Sequence, residues 1–339
     1  MSQLLESLLQ GTDLTAGEAE SLLHELTGGE VDPTSAGAIL VALRAKGETP
    51  DEVLGFARAM RSLATNPGID VSGAVDVVGT GGDRSGSLNL STGSALLAAA
   101  AGVPVVKHGN RSMTSASGSA DVLEQLGLPM PLDAEQAGRL FAETGFAFLF
   151  APHYHPAMAA VTPVRRALGV RTVFNILGPL TNPAAPPRMV IGAFDPEVAR
   201  LMAGALSGLD IERAFVVHGA EGWDEPSPLG EFIQFDVTPG RVEQTVRSPS
   251  DFGIDICKPS DLAGGSPEHN AQRIVDVFSG ELGPHRDALV LGAAMALEVT
   301  DRVESPESAV AQVSAAIDDG RALDLAKRLA RFEPKPVAG

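Results

Sequence analysis

The sequence predicts an α/β protein with a small N-terminal all-helical domain and a large α/β domain, whose mostly parallel central sheet is flanked by helices. Two observations support this prediction. Residues 1–71 carry helix-start signals without a competing strand pattern, and from Val75 onward short apolar strands alternate with helical stretches. Such alternation favours a parallel sheet covered on both faces. We therefore expect a helical domain over residues 1–71, joined by helices from about residues 155–180, and an α/β domain over residues 72–339.

Three helix-start signals define the helical domain. Residues 15–18 (TAGE) have the spacing of a capping box ahead of a leucine-rich stretch. An Ala/Leu-rich helix is predicted over residues 33–45, with Gly47 at its C-terminal cap. Residues 49–52 (TPDE) combine an N-cap threonine, a proline in the first helical position and a glutamate in the third. A further helix is therefore expected to run through Met60.

Apolar runs bounded by turn residues predict the strands of the sheet. The first strand leads into a glycine-rich turn and then into a helix over residues 92–101, which Ser91 or Thr92 would cap. The expected strands are residues 75–78, 102–106, 146–150, 189–194 and 214–217. In open parallel sheets, ligands bind at the carboxyl ends of the strands, so the segments that follow these runs are the candidates for a site.

Composition excludes several classes of protein. The net charge of −18 and the pI near 4.7 disfavour nonspecific binding to nucleic acid, which needs lysine and arginine against phosphates. The single cysteine, Cys257, permits no internal disulfide and no thiolate metal cluster. The N-terminus has no cationic leader, and no long apolar run predicts a membrane span. We expect a cytoplasmic location, with no nucleic-acid or membrane partner.

The glycine-rich turn GTGGD (79–83) follows the first strand and is the first candidate for binding chemistry. Backbone N–H groups in such a turn can approach phosphate oxygens. No Gly-Lys-Ser/Thr follows, so the turn is not that of a nucleoside triphosphatase, and Arg84 stands where a dinucleotide-binding turn needs its third glycine. The alternative is a tight strand–helix turn without a ligand.

Two further segments add hydroxyl groups and positive charge. In NLST (89–92), the N-terminus of the next helix would attract an anion, and a hydroxyl could bind Mg2+. KHGNRS (107–112) is predicted to lie straight after the second strand, where three Lys, His or Arg side chains would concentrate positive charge. A basic surface loop is the alternative. The small residues of segment 115–119 suit a loop that surrounds a phosphate.

Later segments offer a carboxylate-binding group and a metal-binding pair. His153 and His155 are unsuited to binding a metal together, because residues two apart diverge on a helix and no third ligand is near in sequence. Arg165 can bind a carboxylate bidentately. Asp224 and Glu225 form an adjacent acidic pair of the kind that binds Mg2+ together with substrate oxygens, although such a pair can also be a solvated acidic surface.

Together and in this order, these motifs resemble those of the anthranilate phosphoribosyltransferase family. The combination of KHGNR with FNILGPLTNP is the most specific. The matching segments are GTGGD (79–83), NLST (89–92), KHGNRS (107–112), SGSADVLE (117–124), FLFAPHYHPAM (148–158), RRALGVRTVFNILGPLTNP (165–183) and VVHGAEGWDE (216–225). The resemblance implies a nucleoside-phosphorylase-type fold and a homodimer formed through the helical domain. It also implies Mg2+-dependent transfer of phosphoribosyl from phosphoribosyl pyrophosphate (PRPP) to anthranilate, in tryptophan biosynthesis.

The resemblance also implies roles for individual residues. The catalytic residues would be Lys107, Asn110 and Arg165, and the Mg2+ ligands would be Ser91, Asp224 and Glu225. The residues implied around PRPP are Gly79, Gly81, Gly82, Asp83, Ser87, Asn89, Ser91, Thr92, Lys107 and Ser119. Those implied around anthranilate are Gly79, His108, Asn110, His155, Arg165 and Gly178. An anion beside a diphosphate is unfavourable unless a cation intervenes, so Asp83 is expected to shape the loop or tune metal and substrate binding.

The chain departs from the usual family pattern at Ala116, Ala159, Pro226, residues 230–232 (GEF) and Gly292. These departures leave open a related phosphoribosyltransferase with a different aromatic or heterocyclic amine acceptor. A noncatalytic binding protein and a nucleoside phosphorylase are two further alternatives. The acidic charge and the presence of Lys107 with the Asp224–Glu225 pair disfavour the first, and Asn110 with Arg165 disfavours the second.

Overall fold

The computed structural model of the chain describes residues 1–112 and 116–334, so residue 115 of the predicted phosphate-surrounding loop lies outside the described residues. Within them, seven strands form one sheet in the order β3-β2-β1-β4-β5-β6-β7. The strands are β1 (Val75–Gly79), β2 (Val105–Gly109), β3 (Phe146–Phe150), β4 (Arg188–Gly192), β5 (Arg213–His218), β6 (Phe232–Thr238) and β7 (Arg241–Arg247).

Helices precede, connect and follow the strands. The helices before the sheet are α1 (Ser2–Leu9), α2 (Ala16–Thr27), α3 (Pro33–Lys46) and α4 (Pro50–Ser62). Those between the strands are α5 (Leu90–Ala100), α6 (Ser119–Gln125), α7 (Ala134–Thr144), α8 (Ala151–Tyr154), α9 (Met158–Leu168), α10 (Phe174–Leu177) and α11 (Pro196–Ser207). Those after the sheet are α12 (Pro267–Phe278), α13 (Pro284–Glu298), α14 (Pro306–Asp318) and α15 (Arg321–Ala330).

The N-terminal helices begin where their capping signals predict. The side chain of Thr15 accepts a hydrogen bond from the Glu18 N–H while the Glu18 carboxylate accepts from the Thr15 N–H, and Thr49 and Glu52 repeat this reciprocal arrangement at α4. Helices α2 and α4 then pack very closely, because a Cβ atom on Gly55 would lie 2.1 Å from the Ala16 carbonyl oxygen. The predicted all-helical N-terminal region is therefore confirmed.

The predicted, mostly parallel sheet is also confirmed, with two differences at its edges. Strands β3, β2, β1, β4 and β5 are parallel, whereas β6 and β7 are antiparallel additions that the sequence pattern did not indicate. The exposed face of β7, which alternates charged and polar residues with valine, lacks the apolar run on which the other strands were predicted. It forms the edge of the sheet, where an exposed polar strand is tolerated.

Two predicted boundaries near the site are wrong. The second strand covers Val105–Gly109, so Lys107 and His108 lie within it and not in the loop that follows. The strand was predicted from a run of apolar residues, and that run stops before Lys107. Lys107 and His108 are polar but buried, so an apolar pattern misses them. Helix α5 begins at Leu90 with Asn89 as its N-cap residue, so neither Ser91 nor Thr92 caps it.

The two faces of the sheet are covered by different apolar layers. One layer contains side chains from α5, α13 and α14 packed against Val77 of β1. The other continues from α2–α4 through Val161 and Val164 of α9 to Ile191 of β4 and to α11. The N-terminal helices are thus packed on the rest of the protein through a shared core, and α9 lies against α3.

The departure at Gly292 has a packing explanation. Gly292 lies on α13, where a Cβ atom would sit 2.4 Å from the Ser94 hydroxyl oxygen on α5. That hydroxyl donates a hydrogen bond of 3.2 Å to the Leu289 carbonyl, which fixes it in place. A larger residue at this position would collide with Ser94 unless the two helices moved apart. No helix among residues 1–112 and 116–334 is long and apolar enough to span a membrane.

Candidate functional site

The candidate residues meet where the parallel strands end. Strands β2, β1, β4 and β5 are neighbours in the sheet and run in the same direction, so their carboxyl ends share one edge. The glycine-rich turn follows β1, the segment with Asp224 and Glu225 follows β5, and Lys107 lies near the end of β2. Residues far apart in the chain are thereby brought to one place.

Three glycines allow the acidic segment to lie against this edge. A Cβ atom on Gly79 would lie 2.5 Å from the Asp224 Oδ2 atom, and one on Gly192 would lie 1.7 Å from the Asp224 carbonyl oxygen. A Cβ atom on Gly219 would lie 2.2 Å from the Glu225 carbonyl oxygen. Only glycine fits at these positions without displacing the segment. Sequence reasoning singled out Gly79 but missed Gly192 and Gly219, because neither lies in a glycine-rich motif.

The two carboxylates point to different partners, as expected for adjacent residues of an extended segment. Asp224 Oδ2 accepts hydrogen bonds from the Gly81 N–H at 2.5 Å and from the Thr80 hydroxyl at 3.3 Å. Glu225 Oε1 accepts from the Ser91 N–H at 3.2 Å, at the N-terminus of α5. One carboxylate therefore holds the glycine-rich turn and the other holds the start of the helix. Asp224 is 6% exposed and Glu225 is partly buried, so the solvated-surface interpretation of this pair is wrong.

A buried lysine supplies positive charge between these groups. Lys107 is 1% exposed, and its ammonium donates to the Val77 carbonyl and, at 3.3 Å, to the Ser91 hydroxyl. Burial lowers the pKa of Lys107, while the charges of Asp76 and Glu225 oppose that lowering. Burial raises the pKa of both Asp224 and Glu225, and repulsion from nearby carboxylates, Asp83 in both cases and Glu225 in the case of Asp224, raises it further. Negative charge exceeds positive charge here, since one ammonium faces several carboxylates.

The oxygen atoms of Asp224, Glu225 and Ser91 suit a divalent cation that is also bound by a substrate. Two buried carboxylates with raised pKa values gain stability from additional positive charge. Among the described residues, no three His, Cys, Asp or Glu side chains are grouped so as to enclose a metal ion by themselves. Mg2+ is commonly held by one or two carboxylates together with substrate oxygens and water, so Asp224, Glu225 and the Ser91 hydroxyl are suitable partners.

The glycine-rich turn is held in an unusual backbone conformation. Gly81, Gly82 and Arg84 have φ values of 72°, 80° and 61°, in the left-handed region that favours glycine. Asp83 accepts hydrogen bonds from the Ser85 N–H at 3.1 Å and, more weakly, from the Asp224 N–H at 3.4 Å. Asp83 thus shapes the turn, as expected. The Ser85 hydroxyl lies 3.0 Å from that of Ser87 and links it to the same turn.

The start of α5 is connected to a residue that sequence reasoning missed. Asn270, which is 1% exposed on α12, donates a hydrogen bond of 2.8 Å to the Asn89 Oδ1 atom. The Asn89 amide then donates to the Ser117 carbonyl at 3.1 Å. This chain of bonds orients the Asn89 side chain and joins α5 to the segment before Ser119. Asn270 lies in no motif, and only its position in space indicates its importance.

Three of the residues implied around anthranilate, His108, His155 and Gly178, lie close together. His108 Nδ1 lies 3.2 Å from the Gly178 carbonyl oxygen, and the His108 and His155 rings are 5.1 Å apart in an edge-to-face arrangement. Burial lowers the pKa of His108 to about 3 and that of His155 to about 4. Both rings are therefore neutral near pH 7. Because a carbonyl oxygen can only accept, the neutral His108 ring donates a hydrogen bond from Nδ1–H to the Gly178 carbonyl, and this bond fixes the orientation of the ring.

The predicted concentration of positive charge in KHGNRS is wrong. Arg111 forms ion pairs with Asp121 at 2.9 Å and Glu124 at 2.5 Å, and His108 is neutral, so neither contributes free positive charge. Lys107 is the cation that this segment delivers to the site. The Asn110 carbonyl accepts from the Ser119 hydroxyl at 3.1 Å, which ties the end of β2 to the start of α6.

Arg165 differs from Arg111 in its surroundings. It is half-buried on α9, its guanidinium lies 5.1 Å from the centre of the Phe174 ring, and burial lowers its pKa. Among the described residues, no carboxylate lies within ion-pairing distance of Arg165. A half-buried guanidinium without a carboxylate partner is suited to an anionic ligand. The departures at Ala116 and Ala159 lie at exposed positions.

The segment that carries the departures at residues 226–232 is well packed. Ser227 is fully buried, and the Pro228 carbonyl accepts a hydrogen bond of 2.8 Å from the Cys257 N–H. Phe232 then begins β6 and is 1% exposed. The altered residues therefore connect the acidic segment to the antiparallel edge of the sheet.

Comparisons with known proteins agree with this arrangement. A family described as "Glycosyl transferase family, a/b domain" matches residues 72–323, and one described as "Glycosyl transferase family, helical bundle domain" matches residues 2–64. The chain is 44% identical over 330 residues to the anthranilate phosphoribosyltransferase of Solibacter usitatus, with 97% of each chain covered. It is also 44% identical over 332 residues to that of Rubrobacter xylanophilus, with 98% of this chain and 97% of the relative covered.

Two solved structures extend the similarity to three dimensions. The crystal structure of anthranilate phosphoribosyltransferase from Thermus thermophilus is 42% identical, with a TM-score of 0.90 over 97% of this chain and 98% of that one. The enzyme from Saccharomyces cerevisiae, solved in complex with PRPP and Mg, is 25% identical, with a TM-score of 0.87 over 97% of this chain and 96% of that one.

The buried histidines predict a loss of stability in acid. Folding lowers the pKa of His108 from 6.5 to about 3. Between these two pH values, His108 is protonated in the unfolded chain but neutral in the folded chain, so acid favours unfolding. Between pH 7 and pH 5, this should remove about 2 kcal/mol from the free energy of unfolding. We expect His108→Gln to lose less stability over that range than the wild type, as measured by urea unfolding. His24→Gln, at an exposed position, should behave like the wild type, and an unchanged acid response of His108→Gln would contradict the prediction.

Proposed function

Since the chain belongs to the anthranilate phosphoribosyltransferase family, we propose that it transfers the 5-phosphoribosyl group of PRPP to the amine of anthranilate, with release of pyrophosphate, in tryptophan biosynthesis. One observation carries this proposal. Asp224 and Glu225 are buried against the glycine-rich turn and the start of α5, beside the Lys107 ammonium. A diphosphate with its metal ion requires such a combination of backbone N–H groups, carboxylates and one cation.

The donor would bind along the edge of the sheet. The glycine-rich turn presents N–H groups, and α5 adds the positive end of its dipole. Lys107 places its ammonium group next to Ser91. The residues proposed to surround PRPP are those that the family resemblance implies: Gly79, Gly81, Gly82, Asp83, Ser87, Asn89, Ser91, Thr92, Lys107 and Ser119.

A divalent cation would be held by Asp224, Glu225 and the Ser91 hydroxyl. The relative from Saccharomyces cerevisiae was solved with PRPP and Mg, which supports Mg2+ as the metal. When bound, Mg2+ draws charge from the pyrophosphate and so makes it a better leaving group. The two carboxylates orient that ion and would become fully ionised beside it, because a cation reverses the repulsion that raises their pKa values.

The reaction would depend on positioning and electrostatics. As the bond between C1 of the ribose and the pyrophosphate breaks, positive charge develops on the sugar and negative charge on the leaving group. Lys107 stabilises the second of these charges from a water-excluded position. The amine of anthranilate attacks C1 with its lone pair and loses a proton afterwards, so no strong general base is required. His108 and His155 are neutral and line the acceptor side without adding charge.

The acceptor would be oriented by Arg165 and Asn110. The guanidinium of Arg165 has no carboxylate partner among the described residues and lies over the Phe174 ring, so it can hold the ortho-carboxylate of anthranilate bidentately. Holding that group fixes the direction of the neighbouring amine. Such orientation of two reactants is one of the largest sources of rate enhancement in a bimolecular reaction.

A homodimer formed through the helical domain is part of the proposal. Helices α3 and α9 border an apolar groove lined by Gly37, Ala38, Val41, Val164 and Leu168, and Val41 is 43% exposed. A second copy of the chain could cover this surface. Sedimentation analysis should find a dimer that Val41→Glu weakens, whereas a monomeric wild type would contradict it. A cytoplasmic location also belongs to the proposal.

Turnover with purified protein tests the function directly. We expect loss of anthranilate fluorescence only when PRPP and Mg2+ are both present, together with release of pyrophosphate. A panel of other aryl and heterocyclic amines serves as the control. Activity with another amine but none with anthranilate would select a different acceptor, and inactivity of folded protein with every amine would overturn the proposal.

Replacement of Arg165 should affect the acceptor more than the donor. In Arg165→Ala, the KM for anthranilate should rise by about tenfold or more, because a charge-assisted bidentate contact is lost, while the KM for PRPP changes little. Steady-state kinetics with each substrate varied in turn measures both constants. Arg166→Ala, at the exposed neighbouring position, is the matched control. Equal effects on both KM values would contradict the assigned role.

Neutralisation of the acidic pair should weaken metal dependence. The double variant Asp224→Asn and Glu225→Gln should need more Mg2+ for half-maximal rate and lose at least about tenfold in kcat. Its melting temperature without Mg2+ should not fall, because burial and nearby carboxylates disfavour the ionised form of both groups. Glu221→Gln, exposed on the same segment, is the control. Unchanged metal dependence would exclude these residues as ligands.

A further inference from the structure

Arg171 connects the segment after the acceptor helix to the glycine-rich turn. It lies between α9, which carries Arg165, and α10. Its Nη2 atom donates a hydrogen bond of 2.6 Å to the Gly82 carbonyl, across 89 residues of sequence. Its guanidinium also lies 3.9 Å from the centre of the Phe194 ring. No role was assigned to Arg171 by the sequence motifs.

The contacts of Arg171 are anchored on both sides. Its carbonyl accepts a hydrogen bond of 2.5 Å from Arg44 of α3, which holds the segment against the N-terminal helices. The N–H of Phe194 donates to the Thr80 hydroxyl at 3.2 Å, so the aromatic partner is itself fixed to the glycine-rich turn. Arg171 is therefore held by α3 and by Phe194, and it in turn holds the glycine-rich turn at Gly82.

The bond to Gly82 has a direct consequence for the donor site. In a planar trans peptide, the carbonyl of one residue and the N–H of the next point in opposite directions. Arg171 fixes the Gly82 carbonyl, so it also fixes the direction of the Asp83 N–H on the other side of the peptide. Within the described residues that N–H has no hydrogen-bond acceptor. It is free to meet an oxygen of a bound anion.

Arg171 also adds positive charge behind the turn. No carboxylate of residues 1–112 or 116–334 lies within ion-pairing distance of it, in contrast to Arg111. Carbonyl and aromatic contacts leave the charge of the guanidinium uncompensated. In a chain with a net charge of −18, such a group raises the local potential for a polyanionic substrate.

We propose that Arg171 is a positioning residue that orients the Gly82–Asp83 peptide toward the donor diphosphate and fastens this turn to the segment after the acceptor helix. The inference rests on the proposed function and extends it. Arg171 contacts the turn and not the reacting atoms. Its replacement should therefore weaken binding of PRPP, in the opposite pattern to replacement of Arg165.

Calorimetric titration of PRPP in the presence of Mg2+ tests this inference. Arg171→Gln should weaken PRPP binding by about tenfold or more, because a charged hydrogen bond that orders the turn is lost. Arg171→Lys keeps the charge and should fall between this variant and the wild type. Phe194→Leu removes the aromatic contact and should weaken binding less. Arg166→Gln loses the same charge at an exposed position and should bind PRPP like the wild type.

Kinetics separates positioning from general loss of structure. Arg171→Gln should raise the KM for PRPP with little change in the KM for anthranilate and in melting temperature. Wild-type affinity for PRPP in Arg171→Gln, or an equal loss in Arg166→Gln, would overturn the inference. If Arg171→Gln does not fold, unchanged PRPP affinity in both Arg171→Lys and Phe194→Leu would overturn it. A wild type that binds PRPP but does not convert anthranilate would refute the proposed function alone.

Discussion

Close contact between the Asp224–Glu225 segment and the ends of three strands governs the geometry of this site. The backbone of the segment lies so near Gly79, Gly192 and Gly219 that a side chain on any of them would collide with it. This contact holds the Asp224 carboxylate in a buried position and the Glu225 carboxylate in a partly buried one. Their position in turn raises the pKa of both carboxyl groups, since ionised carboxylates are unfavourable in the interior.

The balance of charge around that segment explains how an acidic protein can bind a polyanion. Lys107 is buried among carboxylates, and its charge is placed where the sheet and α5 meet. The net charge of the whole chain has little influence at this point, because water is excluded and nearby charges dominate. The site is therefore assembled from groups enclosed at the edge of the sheet, and not from a basic surface.

The connection between the two parts of the molecule follows from helix α9 and the residues after it. Arg165 and Arg171 are six positions apart, yet one lies over Phe174 with no acidic partner and the other reaches the glycine-rich turn. Arg44 of α3 holds the same segment from the opposite side. The N-terminal helices thus contact both α9 and the segment that reaches the glycine-rich turn.

Local features of this protein were determined by its sequence, whereas the pairing of distant groups depended on its tertiary structure. Capping at Thr15 and Thr49, the alternation of strands and helices and the glycine-rich turn all follow from neighbouring residues, because their hydrogen bonds close within a few positions. Whether a charged side chain is neutralised by an ion pair does not follow from neighbouring residues. Arg111 is neutralised by Asp121 and Glu124, while Arg171 remains uncompensated 60 residues later in the chain, and nothing adjacent to either distinguishes them. The extension of β2 through Lys107, the small size of Gly192 and the bond from Asn270 to Asn89 likewise depend on partners that only folding brings together.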